Sequence, residues 1–366
     1  MVLRLISVVI LAVIVARVCN FVYVSGFHKP IYKQYPGPCR LVPGVDRGSE
    51  DITVSSEGLA FISSGLSSPR FVHDPQRHAE GVKGRILLFD YSHPEKNTTE
   101  LSIVGNFSNN HFDPHGISLY QNPVTGETRL FVVNHLPDFK DSVEIFRFME
   151  KEKSLYHLKT CQGEHMYSLN DVLAVGPESF YFTNDMFFTQ GILRILELYA
   201  GMAWGGVGLY DVTDKILLQG MMFANGINMS PDGRLVYVAE FVRNTVNIYK
   251  RVPEDNSLII QKVIYTYTSV DNIEVDKKTG DIWLGCHPAL YTTIKHMENT
   301  TKPAASQVLR LRLSSNSDPY DKAELRQFFM DGGELISASS VASMYNDAML
   351  IGSVTDRMVY CEIKTI

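Results

Sequence analysis

Residues 225–240 read NGINMSPDGRLVYVAE, and this stretch decides the fold. The pair Asn225-Gly226 leads into a short apolar strand, a turn containing Pro, Asp and Gly follows, and a second apolar strand ends the stretch. The same order occurs five more times along the chain, each time behind a pair of small or polar residues. The six lead pairs are Glu50-Asp51, His115-Gly116, Asn170-Asp171, Asn225-Gly226, Asp271-Asn272 and Ser339-Ser340.

A third strand can be placed behind each of these strand pairs. The six third strands are predicted at residues 85–89, 143–148, 207–212, 246–250, 308–313 and 358–363. Six units of three or four short strands, repeated roughly every 50 residues, are typical of an all-β, six-bladed β-propeller, here over residues 39–363. A β-sandwich is the alternative for so many short strands, but it has no reason to repeat its lead pair.

The lead pairs begin the innermost strands of the predicted propeller. If the strands of each blade run up, down and up, the start of the first strand and the end of the second lie on one face. The six pairs therefore gather around the central axis on that face. Five of them carry a carboxylate, an amide or an imidazole, which a purely structural axis does not need. We expect the functional site there.

The composition fits one large domain. The chain has 366 residues, of which 45% are apolar and 20% charged, and its formal net charge is −6. This length is enough for a single all-β domain with a good core. The acidic balance and the lack of a basic stripe argue against a nucleic-acid partner.

Residues 1–25 differ from the rest and predict a signal peptide or a retained membrane anchor. Residues 5–16 are almost wholly apolar, follow Arg4 and are interrupted by Arg17. At about 1.5 Å per residue this run is too short for a bilayer core of about 30 Å unless the helix continues past Arg17. No clean small-x-small cleavage site precedes Gly26, which favours the anchor. Both forms predict the endoplasmic reticulum lumen or membrane, the cell surface or secretion.

Two cysteines lie where the ring has to close. Cys361 falls in the last strand of the sixth unit, and no residues remain downstream to form the outer strand of that unit. Residues 40–45 can supply this strand from the N-terminus, which places Cys39 beside Cys361 and predicts a disulfide bond. Cys161 and Cys286 have no obvious partner and read as small core or surface residues.

Three sequons fit a lumenal or extracellular domain. Asn97, Asn106 and Asn299 each head an N-x-S/T motif in a predicted loop, and we expect glycosylation there. Asn228 also heads a sequon, but it lies in an inner strand with Pro231 close behind, so we expect no sugar on it.

The lead pairs supply hard oxygen ligands from several blades. Calcium takes six to eight oxygen atoms, and a propeller axis can collect them from distant parts of a chain. The predicted ligands of a first calcium ion are Glu50, Asn170, Asn225, Asp271 and Asn272, and those of a second, deeper ion are Asp51, Asp171 and the carbonyl of Ile117. Each Asn or Asp alone reads as a turn or strand-start residue. Their coincidence at equivalent places favours two Ca²⁺ ions.

Two histidines belong to the same face. His115 is in the second lead pair and His135 follows the second strand of that unit, so the two rings come close enough to touch. A histidine pair beside a metal ion can activate water, one ring taking the proton and the other orienting it. The alternative is that His115 is only a polar wall and His135 a loop residue. His287 is a weaker candidate for the pocket wall.

Several motifs together resemble one known family. In chain order they are Gly48-Ser49-Glu50-Asp51, Asp113-Pro114-His115-Gly116-Ile117-Ser118, Leu169-Asn170-Asp171, Phe223-Ala224-Asn225-Gly226-Ile227 and Gly285-Cys286-His287-Pro288. From Cys39 to Ile363 the chain is similar to the serum paraoxonase/arylesterase family. These proteins are calcium-dependent six-bladed propellers that hydrolyse lactones, aryl esters and some organophosphates.

The resemblance implies a function and assigns the residues named above. It implies a small-molecule ester or lactone as substrate, the same ligands for the two calcium ions, and His115 with His135 as a catalytic dyad. It also implies a bridge between Cys39 and Cys361 and a free thiol at Cys286. The chain departs from the family at residues 67–70, which read SSPR where Lys-Tyr is common, and at Met186, where His is expected.

Residues 186–205 carry a helical pattern between the second and third strands of unit three. Ile192, Ile195, Leu196 and Tyr199 share one face. One interpretation is a lid packed on the propeller. The other is a helix that faces a membrane surface and guards an entry for apolar substrate.

Two functions follow from these patterns. The first is a calcium-dependent hydrolase of lactones and aryl esters. The second is a non-catalytic relative that serves as a membrane-bound chaperone or accessory subunit, with a membrane protein as partner. An intact calcium shell does not separate the two, because the ion could be purely structural.

Overall fold

The computed structural model describes residues 2–108, 111–137, 140–314 and 323–364. The helices are α1 (Val2–Val24), α2 (Pro75–Ala79), α3 (Gly191–Ala200) and α4 (Leu290–Glu298). The strands are β1 (Cys39–Leu41), β2 (Ile52–Val54), β3 (Leu59–Ser64), β4 (Arg85–Asp90), β5 (Thr99–Glu100), β6 (Ser102–Val104), β7 (Pro114–Gln121), β8 (Thr128–His135), β9 (Asp141–Met149), β10 (Ser154–Cys161), β11 (Leu169–Ala174), β12 (Phe180–Asn184), β13 (Gly205–Asp211), β14 (Thr213–Met221), β15 (Ala224–Met229), β16 (Leu235–Glu240), β17 (Thr245–Arg251), β18 (Leu258–Tyr265), β19 (Ser269–Val275), β20 (Ile282–His287), β21 (Ser306–Leu313), β22 (Ala323–Asp331), β23 (Ser339–Tyr345), β24 (Ala348–Ser353) and β25 (Val359–Glu362).

These strands form six sheets, one for each repeat, and confirm the predicted propeller. The sheets have the orders β2-β3-β4-β5, β7-β8-β9-β10-β6, β11-β12-β13-β14, β15-β16-β17-β18, β19-β20-β21-β22 and β23-β24-β25-β1. Neighbouring strands are antiparallel except β6, which adds to β10 in parallel as a fifth strand of blade two. All six predicted third strands are present, as β4, β9, β13, β17, β21 and β25.

The ring closes between its first and last strands. Strand β1 pairs with β25 with Cys39 opposite Cys361, and the two cysteines form the predicted disulfide bond. The closing strand is shorter than the predicted residues 40–45. It ends because Pro43 has no N–H to donate and Gly44 adopts a positive φ of 84°, which ends the extended backbone.

The core lies between the blades rather than inside any one of them. Six buried apolar clusters each join two neighbouring sheets, and together they run around the whole ring. Between blades two and three, for example, Phe131 and Val133 pack with Phe180 and Phe182, and all four are fully buried. Burying one such side chain stabilises the fold by about 1.5–3 kcal/mol, so each blade depends on both of its neighbours.

Helix α1 lies outside the propeller. It is the one helix in the described part of the chain that is long and apolar enough to cross a membrane, and its residues 4–24 expose almost all their side chains. A signal sequence meets the same criteria. The helix is not isolated, because the ring of Phe21 lies 5.1 Å from the ring of Tyr199 on α3.

Helices α2 and α4 were not predicted from the sequence. Helix α2 begins with ordinary start signals: Asp74 accepts from the N–H of Gln76, and Pro75 occupies the first turn. Helix α4 lies between the second and third strands of blade five. Met297 from α4 packs with Leu66 and Val72 in a seventh cluster under the loops.

Candidate active site

The inner strands bulge at five of the six lead pairs. In blade three Leu169 pairs with Asn184 and Val172 with Phe182, so three steps along one strand match two along the other. The same shift occurs at the lead pairs of blades two, four and five, and a related shift at that of blade six. A β-bulge re-aims the side chains of its extra residues. Here both members of the pair come to the axis.

Buried oxygen atoms without hydrogen-bond partners gather at the axis. They are Oε2 of Glu50 and the Oδ1 atoms of Asn170, Asn225 and Asn272. A buried acceptor left unsatisfied costs about 1–3 kcal/mol. Four such atoms from four lead pairs fit a cation that takes oxygen ligands.

The fifth predicted ligand differs from these four. Oδ2 of Asp271 lies 2.7 Å from Nε2 of His287, a residue predicted only for the pocket wall. Asp271 is still buried at the axis, with 6% of its surface exposed. No group of three or more His, Cys, Asp or Glu side chains suited to a metal occurs among the described residues, since three of these five side chains are amides.

Asp51 and Asp171 form a second set of buried carboxylates. The two oxygens of Asp51 accept from the N–H groups of Ile52 and Ile117, both at 2.8 Å, and those of Asp171 accept from Val172 and Ile227 at 2.7 Å. The structure thus brings Ile117 to Asp51 through its N–H, and a role for its carbonyl stays a prediction.

Burial and nearby carboxylate charge disfavour the ionised forms of both carboxyls. Burial and then the charge of Glu50 raise the pKa of Asp51 to about 8. Burial and the charge of Asp51 raise the pKa of Asp171 well above its ordinary value. A cation between them would favour both ionised forms. Gly116 allows the close approach, since a Cβ there would lie 2.3 Å from Oδ1 of Asp171.

The two predicted histidines are in contact. Nδ1 of His115 lies 2.9 Å from Nε2 of His135, and both residues are buried. Nε2 of His115 lies 3.4 Å from Oε1 of Glu50, which joins the histidine pair to the oxygen cluster. Burial alone lowers the pKa of His115, but the carboxylate of Glu50, with smaller contributions from Asp271 and Asp185, more than offsets this and raises the pKa above its ordinary value. Phe71 covers both rings, with centroids 4.6 Å and 5.2 Å away.

Two further residues extend this contact and were not predicted. Nδ1 of His135 lies 2.8 Å from Oδ1 of Asp141, and Asp141 accepts from both terminal nitrogens of Arg70 at 2.7 and 2.8 Å. Asp141 could have been found from the hairpin, because it starts β9 opposite the last residue of β8. Arg70 belongs to the segment that departs from the resembled family, and no spacing rule links it to Asp141.

Helix α3 sits beside this face with its charged residues inward. Arg194 pairs with Asp185 at 2.6 Å, and the carboxylate of Glu197 accepts from the N–H groups of Phe187 and Phe188 at 2.9 Å each. About half or more of each outward apolar side chain is exposed, for Ile192, Leu193, Ile195, Leu196 and Tyr199. The predicted apolar face therefore exists but does not pack on the propeller. Met186, at the start of this segment, is buried.

Comparisons with known structures define the class of fold. The chain superposes on a luciferin-regenerating enzyme with a TM-score of 0.55, at 12% identity over 89% of this chain and 95% of the other. It superposes on the PQQ-bound aldose sugar dehydrogenase of Streptomyces coelicolor with a TM-score of 0.51, at 11% identity over 90% and 99% of the two chains. At such low identity these likenesses show the fold alone, that of a β-propeller.

The sequence comparisons define the family. The profile described as Arylesterase matches residues 33–363. The chain is 40% identical to human serum paraoxonase/arylesterase 1 and 39% identical to human serum paraoxonase/arylesterase 2, in both cases over 89% of this chain and 88% of the relative. The chain belongs to the arylesterase family, and it is an esterase by that membership.

Proposed function

We propose that this protein is a calcium-dependent hydrolase of lactones and aryl esters. The observation that carries the proposal is the set of four buried, unpartnered oxygen atoms on the axis, joined to a histidine pair through Glu50. The family relationship supports the ester and lactone substrates, and the axis supports the calcium. The substrate is a small molecule, since the site lies at the centre of one face of the ring.

Five side chains would hold the first calcium ion. They are Glu50, Asn170, Asn225, Asp271 and Asn272. Two carboxylates neutralise the double charge, and three amides complete the oxygen set without adding charge. When bound, Ca²⁺ polarises the carbonyl oxygen of the substrate and stabilises the negative charge that develops on it.

The histidine pair handles the proton. A water molecule loses a proton to Nε2 of His115 as its oxygen bonds to the carbonyl carbon. The bond between that carbon and the ester oxygen then breaks, and the proton passes to the departing oxygen. His135 holds the His115 ring through the 2.9 Å contact, and Phe71 shields both rings from bulk water.

Asp51 and Asp171 would hold a second calcium ion, which would supply a structural role. Both carboxylates are buried, and each already accepts two backbone N–H groups, so Asp51 ties together the lead segments of blades one and two, and Asp171 those of blades three and four. Without a cation the two charges repel in a poorly hydrated channel. The carbonyl of Ile117 is the predicted third ligand.

The protein works at a membrane surface. Helix α1 acts as a retained anchor, because Phe21 and Tyr199 pack α1 against α3, and the outward apolar face of α3 then contacts lipid. With such an anchor, the proposed location of the domain is the endoplasmic reticulum lumen or the cell surface. It suits apolar esters that reach the site from the bilayer.

Turnover by the full chain tests this proposal. The detergent-purified protein is assayed with a panel of lactones and aryl esters in the presence of Ca²⁺, and human serum paraoxonase/arylesterase 1 serves as the positive control. We expect turnover that is lost when calcium is chelated. A folded, calcium-loaded protein without turnover on the panel would instead favour the membrane-bound chaperone or accessory role, with a membrane protein as partner.

A further inference from the structure

Four side chains form a continuous chain that ends at the candidate active site. In order they are Arg70, Asp141, His135 and His115, and each is at most 8% exposed. The successive contacts are 2.7–2.8 Å, 2.8 Å and 2.9 Å. Two further residues therefore extend the histidine dyad. Arg70 comes from the loop after β3, and Asp141 is the first residue of β9.

The contacts decide which nitrogen carries each proton. Burial alone raises the pKa of Asp141, but His135 and the ion pair with Arg70 more than offset this and lower it below its ordinary value. An ionised carboxylate only accepts hydrogen bonds, so Nδ1 of His135 carries the proton that faces it. In the neutral ring Nε2 of His135 is then an acceptor, and Nδ1 of His115 donates to it. This leaves Nε2 of His115 as the basic nitrogen on the Glu50 side.

We propose that Arg70 and Asp141 are positioning residues for ester hydrolysis, fixing the tautomer and orientation of His135 and through it the basic nitrogen of His115. The inference rests on the proposed role of the dyad. Neither residue touches the substrate. Asp141 acts through His135, and Arg70 acts by holding Asp141 ionised and in place through a bidentate pair that only a guanidinium makes.

Two further contacts connect these four side chains to the rest of the site. Oδ2 of Asp141 also accepts from the N–H of Leu169 at 2.8 Å, directly before the lead residue Asn170. Phe71, next to Arg70, packs on both imidazole rings. The same pair thus fixes the dyad relative to blade three and seats the loop that covers it.

Kinetics of three variants test the proposal. We expect Asp141→Asn to lower kcat by about 10²-fold or more with KM within about twofold, because an amide facing His135 reverses the tautomer, a change that is costly in Ser-His-Asp enzymes. Arg70→Ala should lose activity that millimolar guanidinium restores, and Arg70→Lys should retain only part of it. The matched control is Arg312→Ala. Arg312 makes a bidentate pair with Asp281 in blade five, and its loss should leave kcat within about twofold without a response to guanidinium.

A second readout is independent of turnover. The tautomer of His135 can be read by NMR in protein labelled with ¹⁵N-histidine, and loss of the signal in His135→Gln assigns it. In the parent protein we expect His135 to be protonated on Nδ1. In Asp141→Asn we expect His135 to be protonated on Nε2 instead. If the parent protein has no turnover but shows this change, the proposed function fails and with it the role in hydrolysis, while the control of the His135 tautomer by Asp141 stands. If the parent turns over and Asp141→Asn keeps both its kcat and its tautomer, the inference is overturned. If guanidinium fails to restore the activity of a folded Arg70→Ala variant, Arg70 is not a positioning residue.

Discussion

The side-chain amide of Asn272 donates to Oε1 of Glu50 at 2.8 Å, although the two residues are 222 positions apart in the chain. The same nitrogen also donates to the backbone carbonyl of Glu50 at 3.0 Å. These bonds orient both side chains so that Oδ1 of Asn272 and Oε2 of Glu50 stay without partners. The oxygen cluster is thus preorganised by contacts between blades one and five.

This relationship makes Asn272→Ala a test of the calcium site. We expect the variant to bind less calcium and to melt at a lower temperature. The substitution removes the proposed ligand Asn272 and also the hydrogen bonds that orient Glu50. Calcium per chain and thermal melts are the measurements. Asn247→Ala is the control, since Asn247 is also buried but pairs with Glu240 in blade four, and it should destabilise without changing the calcium content. Equal calcium content in both variants would contradict the assignment of Asn272.

Removal of calcium should lower the melting temperature of the parent protein. Asp51 and Asp171 are buried, and burial together with the charge of Glu50 on Asp51 and of Asp51 on Asp171 disfavours both ionised forms when no cation is present. The measurement compares thermal melts of three samples: untreated protein, protein with excess EGTA, and protein to which Ca²⁺ is restored after EGTA. An unchanged melting temperature with EGTA would refute a structural calcium ion.

Replacement of His115 by Gln separates proton transfer from metal binding. Gln has similar reach and leaves every proposed calcium ligand in place. We expect folding and calcium content to survive while kcat falls by about 10²–10⁴-fold, the typical cost of a lost general base. If turnover persists within a few-fold, His115 has no part in proton transfer.

The cysteines should differ in accessibility and in effect on stability. Serine at both Cys39 and Cys361 opens the ring, and a chain-entropy argument gives about 5 kcal/mol as an upper figure for the loss. Cys286 is fully buried, and burial raises the pKa of its thiol. Iodoacetamide should therefore modify it only after denaturation. A peptide map in which Cys286 is bridged to Cys161 would show a different pairing.

The outward face of α3 should contact lipid. A photoactivatable lipid probe in vesicles carrying the full chain should label peptides of α3, and glutamate at both Ile195 and Leu196 should abolish that labelling while α1 stays labelled. Val212 is the control, because it is 84% exposed and equally apolar but lies in the β13–β14 turn, at the opposite end of the blade from the lead pairs. Equal labelling of the two segments would show that the probe reports exposure alone.

The repeat and the axis could be predicted from sequence because both depend on local patterns. Each lead pair precedes its own strand and turn, so its place follows from the period. The contact between Asp141 and Arg70 depends instead on the path of a loop between strands, which no period fixes. For α3 the periodicity identified an apolar face but not its direction. The direction became visible only in the structure, where Glu197 is buried and the half-buried Arg194 pairs with Asp185.

The closure of the ring also has a consequence for biosynthesis. The strand that completes blade six is made first and its partner β25 last, since the joined cysteines are 322 residues apart. During translation the ring therefore stays open until almost the whole chain has left the ribosome, with the edge of the growing sheet unpaired. A frameshift or stop codon within the last blade removes Cys361 and leaves two open edges. We expect such truncated chains to be retained and degraded rather than to persist as a shortened propeller.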